Sequence, residues 1–156
     1  MNEIYALIEE ILNKGYVMSL ATFDEGGIWV SDVVFINDAE FNIYWISQIS
    51  TRHSKAIKKN RRVAASITIS KPGEANEGLQ IEGFAETVDR TSLEMVKKHL
   101  EKRAGQLPHK KPFIENDKLI DPEMSWYKLI PKKIELINER YYGFAKQVVE
   151  LNPSIN

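Results

Sequence analysis

Ile43-Tyr44-Trp45-Ile46-Ser47-Gln48-Ile49-Ser50-Thr51-Arg52-His53-Ser54-Lys55 is the stretch on which the fold turns. Its first four residues are aromatic and β-branched, the composition of a strand. Hydroxyls and cations follow at once and open a predicted helix from near Thr51 to around Asn60. Hydroxyls, cations and the unpaired N–H groups of a first helical turn together make a site for a phosphate. Arg52 can grip two phosphate oxygens with its planar fork, Lys55 adds a point charge, and Ser50, Thr51 and Ser54 offer hydroxyl donors. A second reading stands beside it: Ser50 or Thr51 merely caps a helix whose outer face of Lys55, Lys58, Lys59, Arg61 and Arg62 is solvated. The stretch is neither a P-loop nor a Rossmann fingerprint.

The neighbouring segments read as short strands. Tyr16 to Thr22 and Ile28 to Ile36 flank the turn Asp24-Glu25-Gly26-Gly27 and predict a hairpin. A turn from Asn37 leads to a third strand at Ile43 to Ser47, Arg62 to Ile69 is a fourth, and Gly78 to Val88 a fifth. Gly83 within the fifth marks a bulge or a close backbone approach. Trp126 to Ile130 and Lys133 to Asn138 return to strand character on either side of Pro131. Apolar residues at Ile4, Leu7, Ile8, Ile11 and Leu12 predict an N-terminal amphipathic helix capped by Gly15. Leu93, Val96 and Leu100 predict a helix after the fifth strand, with Thr91 and Glu94 as its capping box. Gly105 to Glu123 reads as a long loop, either a lid or a surface excursion. Six or seven strands with so few helices predict a mainly β chain, a closed β-barrel with helical additions, in one domain.

Composition narrows the function. A chain of 156 residues is one domain's worth. Its 21 basic and 22 acidic residues nearly cancel, which argues against nucleic acid or a membrane surface as partner. The absence of cysteine excludes disulfides, thiolate metal sites and a cysteine nucleophile, and suits a reducing cytoplasm. The N-terminus lacks a signal-peptide pattern, and no apolar run reaches the roughly 20 residues that span a bilayer. The three histidines, His53, His99 and His109, are scattered, so no metal is expected. No nucleophile elbow, Walker A motif or His-Glu-x-x-His occurs.

Two further elements are candidate binding positions. In Trp29-Val30-Ser31-Asp32-Val33 a carboxylate interrupts an apolar strand, so Asp32 should reach solvent at a rim or meet a cation or ligand. In Leu79-Gln80-Ile81-Glu82-Gly83, Gln80 shares a side with Glu82 and Phe84 and could bond the edge of a heterocycle. Either residue could equally be an ordinary outward strand position. The aromatics Trp126, Tyr127, Tyr141, Tyr142 and Phe144 suit a planar cofactor, a core or a dimer interface.

The order of elements and these residues resemble the pyridoxamine 5′-phosphate oxidase-like family of FMN-binding split barrels. The resemblance spans nearly the whole chain, and Thr51-Arg52-His53 and Tyr142-Gly143-Phe144-Ala145-Lys146-Gln147 are closest to its small bacterial YhbP-like branch. It implies a homodimer with two FMN sites, each built from both chains. Ser47, Thr51 and Arg52 would hold the FMN phosphate, His53 stands where the oxidases often place a lysine, and Lys55 is a nearby substitute cation. Val30, Ser31 and Asp32 match the strand along the flavin ring, and Gln80 matches a glutamine that contacts it. The oxidases close with a Trp and an Arg-x-His segment that binds pyridoxamine phosphate. Ile137 and Tyr141-Tyr142-Gly143-Phe144 stand there instead, which argues against that substrate.

The function expected from this resemblance is a cytoplasmic, dimeric FMN oxidoreductase acting on a small organic molecule, with F420 as an alternative cofactor. Its catalytic residue is not identified, Asp32 and His53 being the first to consider. The alternatives are a non-catalytic flavin or haem store, with His53 and His99 as possible haem ligands, and a scaffold whose basic run Lys55 to Arg62 meets an acidic partner or a nucleic-acid backbone.

Overall fold

The computed structural model describes residues 2–103, 114–115, 118–119 and 121–152. Helix α1 (Glu3–Lys14) is capped by Asn2, whose side chain accepts from the Ile4 N–H, and buries Ile8, Ile11 and Leu12 against the sheet. Gly15 ends it as expected, but for a packing reason. Its φ is an ordinary −64°. A Cβ there would lie 2.8 Å from Ile67 and 2.9 Å from Phe35, so a bare backbone is what lets the chain turn into β1 (Val17–Asp24).

The strands that follow are β2 (Gly27–Val34), β3 (Ile36–Asn37), β4 (Ile43–Gln48), β5 (Arg62–Thr68) and β6 (Glu77–Val88), with helix α2 (Arg52–Lys59) between β4 and β5. Helix α3 (Leu93–Arg103) and the small pair β7 (Ile114–Glu115) and β8 (Lys118–Leu119) precede β9 (Met124–Asn138), and α4 (Glu139–Tyr142) leads to β10 (Gln147–Glu150). The main sheet is antiparallel and eight-stranded, in the order β2-β1-β5-β6-β9-β4-β3, with β10 also on β9. It curls into a split barrel. Among the described residues the hydrogen-bond ladder ends at β2 and β3, without the closure suggested by the strand count.

The strand count also rises above six or seven. Trp126–Ile130 and Lys133–Asn138 are one strand, β9, which pairs with β6 over most of its length. Pro131 does not break it because the register shifts between Glu82 and Gly83, and the proline sits opposite Gly83 at that bulge. Gly83 is the close approach the sequence implied: a Cβ there would be 2.3 Å from the Ile130 carbonyl oxygen. Strands β3 and β10 are further additions, each too short to announce itself by periodicity. Helix α3 is capped by Ser92, which accepts from the Met95 N–H, and not by the Thr91 box. The segment read as a loop, Gly105 to Glu123, lies largely outside the described residues.

Away from the bulge, side chains alternate between two faces of the sheet. The inner face forms the core, with Trp45 and Tyr127 stacked at 5.4 Å between ring centroids and Leu20, Ile81 and Ile134 beside them in one cluster. A smaller cluster of Ile36, Met95, Val96 and Trp126 lies under α3. There His99 is buried edge-on to Trp126, and burial, with Arg103 and Lys102 nearby, pushes its imidazole down to about 4. A neutral ring is therefore favoured in the fold while the unfolded chain takes up a proton near the ordinary value. The stability tied to His99 is complete above about pH 6.5 and is lost as pH falls through 4, by about 3 kcal/mol in all. Urea unfolding from pH 7 to pH 4 should show a shallower fall for His99→Gln than for the native chain. His53, also pushed down by burial, adds in the same direction to both.

Candidate active site

The start of α2 is assembled by strand alternation. Along β4 the residues Ile43, Trp45 and Ser47 point inward and are buried, so Ser47 arrives at the core side of the strand end. The Thr51 N–H then bonds the Gln48 carbonyl at 3.2 Å, and Thr51 becomes the N-cap of α2, accepting from the Ser54 N–H. Its hydroxyl lies 2.9 Å from the Gln48 carbonyl, 2.8 Å from the Ser54 hydroxyl and 3.2 Å from His53 Nε2.

His53 is the centre of this group. It is 8% exposed, with Nε2 2.9 Å from the Ser47 hydroxyl and Nδ1 3.1 Å from the Ser31 hydroxyl. The imidazole thus ties α2 to β4 and β2 at once, and burial lowers its affinity for a proton. Ser31 can reach it because Ser31 pairs with the inward-facing Leu20 across the β1–β2 ladder.

Arg52 points the other way. Its Nε and Nη2 donate to the two oxygens of Asp24 at 2.9 and 3.0 Å, and its guanidinium lies 4.6 Å over the Trp29 ring. The guanidinium holds the Asp24 carboxyl below the usual carboxylate range, and Asp24 in turn raises Arg52. Gly26 makes room, since a Cβ there would stand 2.8 Å from Arg52 Nη2. Between this hairpin turn and α2 runs a groove of about 630 Å³, lined by Asp24, Glu25, Ser50, Arg52, Lys55 and Lys59.

Val30, Asp32 and Gln80 lie on the outer face. The register sets two rows across the sheet there, Asp32–Ser19–Ser66–Gln80–Glu135 and Val30–Ala21–Ala64–Glu82–Lys133. The middle positions carry only Ser19, Ala21, Ala64 and Ser66, and these small side chains leave a shallow recess of about 380 Å³. At its ends the Ser19 hydroxyl donates to Asp32 at 2.6 Å, and the Lys146 amine donates to Gln80 at 2.6 Å and Glu135 at 3.1 Å. Ser66 and Gln80 also border a neighbouring groove of about 440 Å³ with Ile137, Gly143, Phe144 and Lys146. Phe144 follows Gly143, whose φ is +58°, and is 95% exposed.

The ten residues singled out in the sequence therefore form three sets. Ser31, Ser47, Thr51 and His53 are joined by hydrogen bonds, Ser50, Arg52 and Lys55 share the groove, and Val30, Asp32 and Gln80 face outward. Sequence reasoning missed Asp24 and Trp29 as partners of Arg52, Ser19 as partner of Asp32, and Lys146 as partner of Gln80. No local signal pointed to these pairs, Asp24 standing 28 residues from Arg52 in the chain.

The sequence profile described as pyridoxamine 5′-phosphate oxidase matches residues 5–138. No curated protein matches the chain significantly by sequence. Among solved structures the fold is similar to General Stress Protein 26 from Bacillus anthracis, at 15% identity and TM-score 0.68, over 95% of this chain and 98% of that one. It is similar to the haem storage protein HutZ from Vibrio cholerae at 20% identity and TM-score 0.63, over 83% and 92% of the two chains. An F420 reductase is similar at 22% identity and TM-score 0.61, over 81% and 94%.

Proposed function

Because the chain belongs to the pyridoxamine 5′-phosphate oxidase family, we propose that it is a flavoprotein that binds FMN and exchanges hydride or electrons with a small organic substrate. The observation that carries this reading is the pairing of a hydroxyl- and cation-lined helix start with a flat recess of small residues, a match to a phosphate at one end and a planar ring at the other. Arg52, Lys55 and the hydroxyls of Ser47, Ser50 and Thr51 would hold the phosphate. Val30 would wall the ring, Ser19, Ala21, Ala64 and Ser66 would floor it, and Gln80 would bond its polar edge.

The phosphate set and the ring set lie on opposite faces of edge strand β2. Ile28 and Val30 on that strand are 75% and 56% exposed, a large apolar surface for an unpaired edge. Both features favour a homodimer in which one copy supplies the phosphate set and its partner the ring set. A bound flavin would supply the redox chemistry. The protein's part would be to fix the ring's orientation, to tune it through Gln80 and to keep water from its face with Val30 and Phe144. The groove beside Gln80 offers the substrate Ile137 and Phe144, and its Lys146 is already engaged by Gln80 and Glu135, which favours a substrate other than pyridoxamine phosphate.

Titration with FMN, riboflavin, F420 and haem tests the cofactor. Tight FMN binding, weaker riboflavin binding, bleaching of the flavin band by a nicotinamide nucleotide and a scattering mass of twice 17.9 kDa are expected. FMN binding no tighter than riboflavin would remove the phosphate site, and haem binding without flavin binding would favour a haem store. His53 and His99 speak against the latter here, since both rings are buried within the fold.

A further inference from the structure

Both nitrogens of the His53 ring face a serine hydroxyl, Ser31 at Nδ1 and Ser47 at Nε2. The Thr51 hydroxyl also lies 3.2 Å from Nε2, but it donates its proton to the Gln48 carbonyl. A neutral imidazole has one N–H and one lone pair. One of the two serines therefore spends its proton on the ring, and the other accepts from the ring and keeps its proton free. A protonated ring donates from both nitrogens and releases both serine protons. Protonation of His53 thus adds one hydroxyl donor and one positive charge to the same cluster. The other charged groups on the surrounding elements do not supply that charge to the ring. Arg52 is engaged by Asp24 from β1, Lys55 is exposed on α2, and Asp32 on β2 faces outward against Ser19.

Resting on the phosphate assignment above, we propose that His53 is a proton-linked positioning residue: a phosphate monoester bound at the start of α2 draws a proton onto the imidazole, which turns the Ser31 and Ser47 hydroxyls from partners of the ring into donors to the anion. The step is a proton uptake from solvent with no bond broken in the ligand. It accounts for a histidine where a permanently charged lysine would serve a phosphate directly: the interior holds a neutral ring until an anion arrives to balance it.

The test compares FMN affinity of the native protein with that of His53→Gln from about pH 5.5 to pH 8. Titration of the phosphate itself cancels in the ratio, and glutamine keeps a neutral donor and acceptor in place. The native-to-variant ratio should fall about tenfold as pH rises. On the native protein alone, the NMR titration midpoint of the His53 ring should move upward by about one pH unit with saturating FMN and stay in place with riboflavin. This second measurement decides the matter even if His53→Gln does not fold. A flat ratio and an unmoved midpoint with FMN bound would overturn the proposal and leave the flavoprotein reading standing. If FMN does not bind, that reading falls, and inorganic phosphate takes its place in the NMR titration. A raised midpoint then supports the proton linkage and an unmoved one overturns it.

Discussion

Trp45→Ala is expected to lower the free energy of unfolding by about 3–5 kcal/mol, measured by urea denaturation. Trp45 is fully buried on β4, pairs with Tyr127 across the β4–β9 ladder and stacks on its ring at 17° between planes. Truncation removes that contact and leaves a cavity between two strands whose backbones are fixed by their hydrogen bonds, so the site cannot collapse to fill it. Trp45→Phe separates the packing contribution from the polar one. The indole N–H has no hydrogen-bond partner among the described residues, so phenylalanine forfeits area without breaking a bond. It should cost less than about 1.5 kcal/mol. Equal losses in both variants would place the weight on the indole N–H instead of on the stack.

The second large effect concerns the ligand. Replacing Arg52 and Lys55 together by alanine should weaken FMN binding about a hundredfold while riboflavin binding changes little, since charge-assisted bonds to phosphate are the strong ones. The structure adds a reason why this double change is harsher than a count of cations suggests. Asp24 now shares its charge with Arg52 through two hydrogen bonds. Without Arg52, that carboxylate stands bare beside the incoming phosphate and repels it. Adding Asp24→Asn to the double variant should therefore recover part of the affinity, about tenfold. Unchanged FMN affinity in the double variant would mean that the anion sits elsewhere.

What could be read from the sequence was what depends on local pattern. The stripe of Ile8, Ile11 and Leu12, the capping Thr51, the turn at Asp24 to Gly27 and the outward Gln80 all stand where periodicity or turn chemistry put them. Pro131 misleads because its tolerance depends on a bulge facing Gly83, forty-eight residues earlier in the chain, and local rules see only a ring that cannot donate. Val30 and Ser31 were grouped as neighbours along one strand, yet the pleat sends them to opposite faces. The sequence presents Arg52 as a grip for phosphate oxygens, and only the packing of the β1–β2 hairpin against α2 shows that Asp24 already holds it. His53 illustrates the same limit from the other side. The resemblance sets it where the oxidases often place a lysine, whereas its place between Ser31 and Ser47 makes it an interior tie.

Strand β9 carries a consequence for how the chain is made. Among the described strands it is the one whose pairing joins the two parts of the main sheet, taking β6 on one side and β4 on the other. Before Met124 is made, the strand pairings open to the chain are β2-β1-β5-β6 and β3-β4, and the ladder that joins them is still missing. Pairings so distant in sequence are slow to form. The nascent protein should therefore remain sensitive to protease, and dependent on chaperone shelter, until its last quarter has left the exit tunnel.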